Sequence, residues 1–176
     1  LNPDLAGALR SIPFVSTATV SLGFARGAIP TSLDGYGYVN PRVEGGPLVA
    51  CTWTSNKFPG RVPPDAVLVR CFVGRAGVDE IVHAEDGVLL GLAREELRKV
   101  HGITAPPLLS RVVRWPAGMP QYTLGHGERL ARIAAQLTAH PGLHLVGASY
   151  RGIGIPDCIA SGWAAAEGIA AQVGAT

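Results

Sequence analysis

The part of the sequence best suited to chemistry is residues 143–170, where an apolar segment, a glycine-rich turn and a small-residue helix follow one another. Gly147, Gly152 and Gly154 would let the backbone approach a ligand closely. A helix opening at Pro156 would present unpaired N–H groups and a partial positive charge in its first turn. This order is typical of a cradle for a phosphate, or for a cofactor group that becomes negative. A tight turn without a ligand is the open alternative.

Other reactive side chains form no recognisable catalytic set. His126 lies near a helix start, which predicts a capping or packing role, and His140 and His144 flank a Pro-Gly turn and are expected to be exposed. Asp157 falls in the first turn of the last helix, where the helix dipole favours a negative charge. Because no Ser or Cys is paired with a base, hydrolase chemistry is disfavoured. The catalytic residues therefore stay unassigned.

Composition excludes several classes of function. The 15 basic and 13 acidic residues give a net charge of +2 without a basic run, which disfavours nucleic-acid binding. Cys51, Cys71 and Cys158 are widely spaced, which predicts reduced thiols and no metal site. No apolar run approaches the ~18 residues of a membrane span. We expect a cytoplasmic protein, with peripheral attachment to a membrane left open.

The elements around the turn follow from hydrophobic spacing and from 23 Gly and 14 Pro, too many for a helical bundle. An α+β or α/β mixed fold is predicted. Alternating apolar residues predict strands at Phe14 to Phe24, Tyr36 to Val39, Leu48 to Trp53, Ala66 to Val73, Leu108 to Trp115 and, short and buried, Leu143 to Val146. The second and third of these would form a hairpin.

Four helices are predicted from caps and helical spacing. Asn2 caps the first, which has Pro3 at its first position and ends near Arg10. The others run from Asp86, as cap, to about His101 with Gly102 as stop, from Gly127 to about His140, and from about Pro156 to Val173.

Two longer motifs carry a family resemblance. GASYRGIGIPDCIASGWAAAEGIA, residues 147–170, resembles the C-terminal FAD-contacting segment of protoporphyrinogen oxidases, and RWPAGMPQYTLGH, residues 114–126, resembles a second signature of that family. GYGYVNP, residues 35–41, and CTWTSNKFPGR, residues 51–61, are similar to its substrate-domain segment. The resemblance covers nearly the whole chain.

The resemblance implies an FAD-dependent enzyme of haem biosynthesis that oxidises protoporphyrinogen IX to protoporphyrin IX, with coproporphyrinogen as the alternative substrate. It also implies an antiparallel substrate-domain sheet with flanking helices, plus the C-terminal strand-helix unit of a split FAD-binding domain. We therefore predict part of the substrate domain at residues 1–113 and a segment returning to the FAD domain at 114–176. No GxGxxG opens a βαβ unit, so tight retention of FAD by this chain alone is not expected.

The same resemblance implies individual contacts. Those predicted for the flavin are Trp115, Gly147, Ala148, Ile153, Gly154 and Ile155. The helix from Pro156 would stabilise the negative charge of reduced flavin. Gly37 and Val39 match the strand that lines the tetrapyrrole cavity, and Arg42 and Arg61 are cations available for propionates, unless they are solvated loop arginines.

Two rival interpretations remain open. The first is another flavoenzyme of the amine oxidase superfamily, against which the PQYTLGH and IPDC motifs argue. The second is a stand-alone, non-catalytic tetrapyrrole-binding or interaction module. The first residue is Leu1 rather than Met, so we expect an N-terminal FAD domain upstream. The face of the last helix with Ile159, Trp163 and Ala166 would then pack against another element or another copy, as in a homo-oligomer.

Overall fold

A computed structural model describes residues 2–174. The chain forms two compact units, a sheet unit of Val15–Met119 and a helix unit of residues 2–14 and 120–174. The predicted mixed fold with an antiparallel sheet and flanking helices is confirmed. These units divide the chain at 14/15 and 119/120, whereas the predicted functional domains divide it at 113/114, and that functional division stays a prediction.

Five strands form one sheet in the order β2-β3-β4-β1-β5. They are β1 (Phe14–Ala25), β2 (Gly37–Val39), β3 (Leu48–Trp53), β4 (Ala66–Val73) and β5 (Leu109–Pro120). β1 pairs antiparallel with β4, β4 with β3, and β3 with β2. The predicted strands and the hairpin are confirmed here, with β5 running five residues beyond its predicted end.

The helices are α1 (Pro3–Arg10), α2 (Thr54–Lys57), α3 (Asp86–His101), α4 (His126–Leu137) and α5 (Ile155–Gly174), with short 3₁₀ turns at Arg26–Ala28, Arg42–Glu44 and Glu80–His83. The predicted cap of α1 is confirmed, because the Asn2 side chain accepts the N–H of Leu5 at 2.7 Å. The predicted cap of α3 is wrong. Asp86 is already helical and accepts Arg114 Nη1 at 2.6 Å instead.

The sheet unit is built around one buried face. Along β4, buried and half-buried side chains alternate over the whole strand, the pattern of a strand covered on one side. α3 contributes the fully buried Leu89, Ala93 and Leu97 to the same core as the buried strand residues. Burying each large apolar side chain stabilises the fold by about 1.5–3 kcal/mol. The opposite sheet face is only half-buried.

The helix unit has a smaller core, formed by Leu5, Ala8, Ile12 and Ile133 of α1, α4 and the segment after α1. The strand predicted at residues 143–146 is wrong, because this segment has no regular structure and pairs with none of the five strands. A strand requires a neighbouring backbone to satisfy its N–H and C=O groups. Within residues 2–174, no helix is long and apolar enough to cross a membrane.

Candidate functional site

The glycine-rich turn before α5 is held by one side chain that sequence reasoning missed. The Tyr122 hydroxyl donates to the carbonyl of Ala148 and accepts the N–H of Gly152, both at 2.8 Å. One phenol therefore bridges the two ends of the turn. Gly147 (φ +101°) and Gly152 (φ +141°) have backbone angles that other residues rarely adopt. Tyr122 lies inside the PQYTLGH motif, which was the available signal.

His126 supports Tyr122. The two rings stack at a centroid distance of 4.0 Å and an angle of 13°, and His126 Nε2 lies 3.0 Å from the carbonyl oxygen of Tyr150. The predicted packing role of His126 is thereby confirmed. Burial raises the pKa of the Tyr150 phenol. The prediction that His140 and His144 are exposed is wrong, since both are half-buried.

Asp157 organises the start of α5. Its Oδ2 accepts the N–H of Gly154 at 3.2 Å, so this carboxylate reaches back to the residue that precedes the helix. A Cβ on Gly152 would lie 2.5 Å from the Asp157 side chain, and one on Gly154 would lie 2.8 Å from Asp157 Oδ2. Both glycines are thus explained by close packing against Asp157, and of the two only Gly152 has a positive φ.

Three backbone N–H groups at the start of α5 have no acceptor within the described residues. Among the described residues, the N–H groups of Ile153, Ile155 and Asp157 donate to no acceptor. The side chains of Ile153 and Ile155 are exposed. Free N–H groups at the N-terminus of a 20-residue helix, next to exposed apolar side chains, suit a planar group that gains negative charge. The site therefore fits the edge of a reduced flavin.

Trp115 lies on β5 in the sheet unit, whereas the other five predicted flavin contacts lie within residues 147–155 of the helix unit. Its side chain is 55% exposed, so it is not a core residue of this chain. The strand is irregular just after it, since Ala117 has a φ of +44° and donates its N–H to Ser16 Oγ at 3.0 Å. The flavin role of all six residues stays a prediction.

Gly37 and Val39, the predicted substrate contacts, lie on the edge strand β2. A Cβ on Gly37 would lie 2.0 Å from the carbonyl oxygen of Cys51, so the hairpin itself requires glycine there. Val39 pairs with Ala50 of β3 and is 72% exposed. Only Val39 offers a side chain to a ligand, and the substrate role of both positions stays a prediction.

The two arginines proposed for propionates have partners inside the protein. Arg42 Nη2 donates to the carbonyl of Ala76 at 3.2 Å, and Arg42 lines a cavity of about 510 Å³ together with Arg75 and Glu80. Arg61 lies over the ring of Phe58, 5.3 Å from its centroid. Neither forms an ion pair within the described residues.

Comparison with known proteins gives a consistent set of matches. The coproporphyrinogen III oxidase of Bacillus subtilis is 39% identical over 158 residues, which cover 89% of this chain and 34% of that protein. Protoporphyrinogen oxidase 1, chloroplastic, of Arabidopsis thaliana is 28% identical over 169 residues, covering 90% and 32%. The present chain thus spans about a third of the length of these curated relatives.

A solved structure agrees with these relatives. The crystal structure of a candidate protoporphyrinogen oxidase from Exiguobacterium sp. 255-15 superposes with a TM-score of 0.80 at 35% identity, over 94% of this chain and 37% of that one. The family profile described as flavin containing amine oxidoreductase matches residues 1–170. Because that match covers almost the entire sequence, the chain belongs to the flavin-containing amine oxidoreductase family.

Proposed function

We propose that this chain is the C-terminal part of an FAD-dependent porphyrinogen oxidase. The observation that carries the proposal is the start of α5, where Ile153, Ile155 and Asp157 leave three N–H groups free while Tyr122 fixes the turn before them. In a flavin-containing family, such a site suits the cofactor edge that becomes negative on reduction. The family match and the named relatives support the reaction class.

FAD, when bound, would accept hydride equivalents from the porphyrinogen and pass the electrons to oxygen or another acceptor. The free N–H groups would stabilise the reduced cofactor, and the exposed side chains of Ile153 and Ile155 would exclude water from its edge. Gly147, Ala148 and Gly154 would lie along the same edge, and Trp115 is the sixth residue proposed to contact the flavin. Tyr122 and Asp157 would act indirectly, by holding the turn.

The half-buried sheet face that carries Val39 is the proposed wall of the substrate cavity. Residues 1–113 would then belong to the substrate domain and residues 114–176 to the FAD domain. Protoporphyrinogen IX is the substrate predicted from the sequence. The higher identity of the relative named for coproporphyrinogen III, 39% against 28%, supports the substrate richer in carboxylates.

The test uses the full-length gene product that contains this chain. We expect a purified yellow protein with the ~450 nm band of oxidised flavin, and fluorescence of the porphyrin product when either porphyrinogen is supplied. Heat-inactivated protein controls for spontaneous oxidation by air. Full-length protein without flavin would contradict the proposal and favour the non-catalytic tetrapyrrole-binding module. Flavin without turnover of either porphyrinogen would favour another amine oxidase activity.

A further inference from the structure

An arginine lies in the middle of the half-buried sheet face, in line with the predicted substrate strand. The strand registers pair Gly37 with Thr52, Thr52 with Arg70, and Arg70 with Ser21. These four residues form one row across β2, β3, β4 and β1. With neighbouring strands ~4.8 Å apart, Arg70 lies about 10 Å from Gly37 along that row.

The next row on the same face is mostly apolar. Val39 pairs with Ala50, Ala50 with Phe72, and Phe72 with Thr19. Because residues two apart on a strand share a face, Phe72 stands beside Arg70, and both point away from the core formed with α3. The face therefore combines an apolar surface with a central cation.

Arg70 has unused hydrogen-bonding capacity. Its Nε donates to Ser21 Oγ at 3.3 Å, and within the described residues its guanidinium pairs with no carboxylate. The side chain is half-buried, which lowers the hydration of its charge. A guanidinium in this state has its terminal N–H groups available for two parallel hydrogen bonds to one carboxylate.

We infer that Arg70 binds a propionate of the porphyrinogen and favours coproporphyrinogen over protoporphyrinogen. The inference rests on the proposed function and assigns a specificity residue to it. Coproporphyrinogen carries propionates where protoporphyrinogen carries uncharged vinyl groups. A half-buried cation beside the mostly apolar row of Val39, Ala50 and Phe72 discriminates between these groups, since a vinyl group leaves its terminal N–H groups unpaired. A carboxylate from elsewhere in the full-length protein is the competing occupant.

The experiment compares full-length protein carrying Arg70→Met, Arg70→Lys or Arg98→Met with the unchanged protein on both porphyrinogens. Arg98 is the matched control, because its guanidinium already pairs with Glu95 on α3. For Arg70→Met we expect KM for coproporphyrinogen to rise about tenfold, equivalent to about 1.4 kcal/mol. The rise for protoporphyrinogen should be clearly smaller, and Arg70→Lys should recover part of the preference. Binding of coproporphyrin, followed by fluorescence quenching, gives a readout independent of turnover.

Several results would overturn the assignment. Equal losses on both porphyrinogens with a lower melting temperature would show that Arg70 pairs with a carboxylate of the protein. Unchanged selectivity in Arg70→Met, or an equal effect of Arg98→Met, would exclude carboxylate recognition by Arg70. If the unchanged protein turned over neither porphyrinogen, the proposed function itself would fail, and the Arg70 assignment with it. Loss of the preference for coproporphyrinogen in Arg70→Met alone, with flavin content retained, would support the assignment of Arg70.

Discussion

Helices α3 and α5 have similar lengths, 16 and 20 residues, yet they are stabilised differently. α3 places Leu89, Ala93 and Leu97 in the sheet core, all fully buried. α5 is richer in apolar residues, yet no side chain of it is buried within the described chain. Ile159 is 61% exposed and Trp163 is 69% exposed. The more apolar helix is therefore the one that this chain leaves uncovered.

The difference indicates what each helix is for. A helix whose apolar face lacks a partner requires cover from outside the segment, since exposed apolar patches mark interaction surfaces. We propose that α5 is covered in the assembled protein, by another part of the full-length chain or by a second copy. The sheet unit already contains α3, the helix that covers its buried face. Stability and assembly should therefore respond to different mutations.

The largest expected effect separates the two helices directly. Leu89→Ala should lower the free energy of unfolding of this chain by about 2–5 kcal/mol, because it empties part of a packed core. Ile159→Ala, at an exposed position, should change it by less than about 0.5 kcal/mol. Urea unfolding followed by circular dichroism measures both. Equal losses would show that α5 is packed in solution and would end the distinction.

A smaller effect is expected for the turn before α5. Tyr122→Phe removes hydrogen bonds to Ala148 and Gly152, each contributing about 0.5–1.5 kcal/mol. Hydrogen exchange at the Gly152 amide should accelerate by roughly tenfold, while amides of β4 keep their rates. Tyr36→Phe, at an exposed ring of the sheet unit, provides the control. Slow exchange at Gly152 in Tyr122→Phe would show that the turn is held by other contacts.

Gly154→Val tests the proposed flavin edge in the full-length protein. A Cβ there meets the Asp157 carboxylate, so the substitution should displace the cap and shift the free N–H groups. A loss of about 1 kcal/mol at a helix N-terminus corresponds to roughly fivefold weaker FAD retention. Asp157→Asn should show the same direction with a smaller change. Equal FAD occupancy and equal flavin potential in both variants would exclude contact of this turn with the cofactor.

The smallest effect concerns His101 in the sheet unit, whose ring packs against Trp53 at 4.7 Å and Tyr38 at 5.6 Å. Burial lowers the pKa of His101, with Glu96 opposing the shift. His101 therefore binds a proton more readily in the unfolded chain than in the folded one. Neutral His101 contributes to the free energy of unfolding above the unfolded pKa of ~6.5, and this contribution is lost as pH falls through the lower folded pKa. His101→Phe should flatten this pH dependence of urea stability between roughly pH 5 and 7. An unchanged pH dependence in His101→Phe would show that other groups cause it.

The features predicted best from the sequence are helix ends, because residues next to one another in the chain determine them. Asn2 and Pro3 define the start of α1, and Gly102, with a φ of +66°, ends α3. The segment at residues 143–146 has the composition of a strand but pairs with none of the five strands. Whether a segment finds a partner strand depends on the rest of the fold, which its own residues do not reveal.

Long-range geometry explains what the sequence could not reveal about the site. The Tyr122 hydroxyl contacts Ala148 and Gly152, which lie 26 and 30 positions further along the chain, so no local pattern predicts this bridge. The sequence predicts that Gly152 and Gly154 make room for a ligand, whereas in the structure the group packed closely against both is the Asp157 side chain. The place of Arg70 in the row between Thr52 and Ser21 depends on the strand registers, which no local sequence pattern predicts.

The close approach of Gly37 to the Cys51 carbonyl also limits which positions of β2, the proposed substrate strand, can be altered. Any side chain at position 37 would collide with the backbone of β3 before it met a substrate, so a mutational scan there would report protein yield rather than affinity. Val39, two residues along the same edge strand and open to solvent, has no such constraint. If β2 lines the substrate cavity as proposed, engineering of the substrate range should therefore begin at Val39, where bulk can be added outward from the sheet.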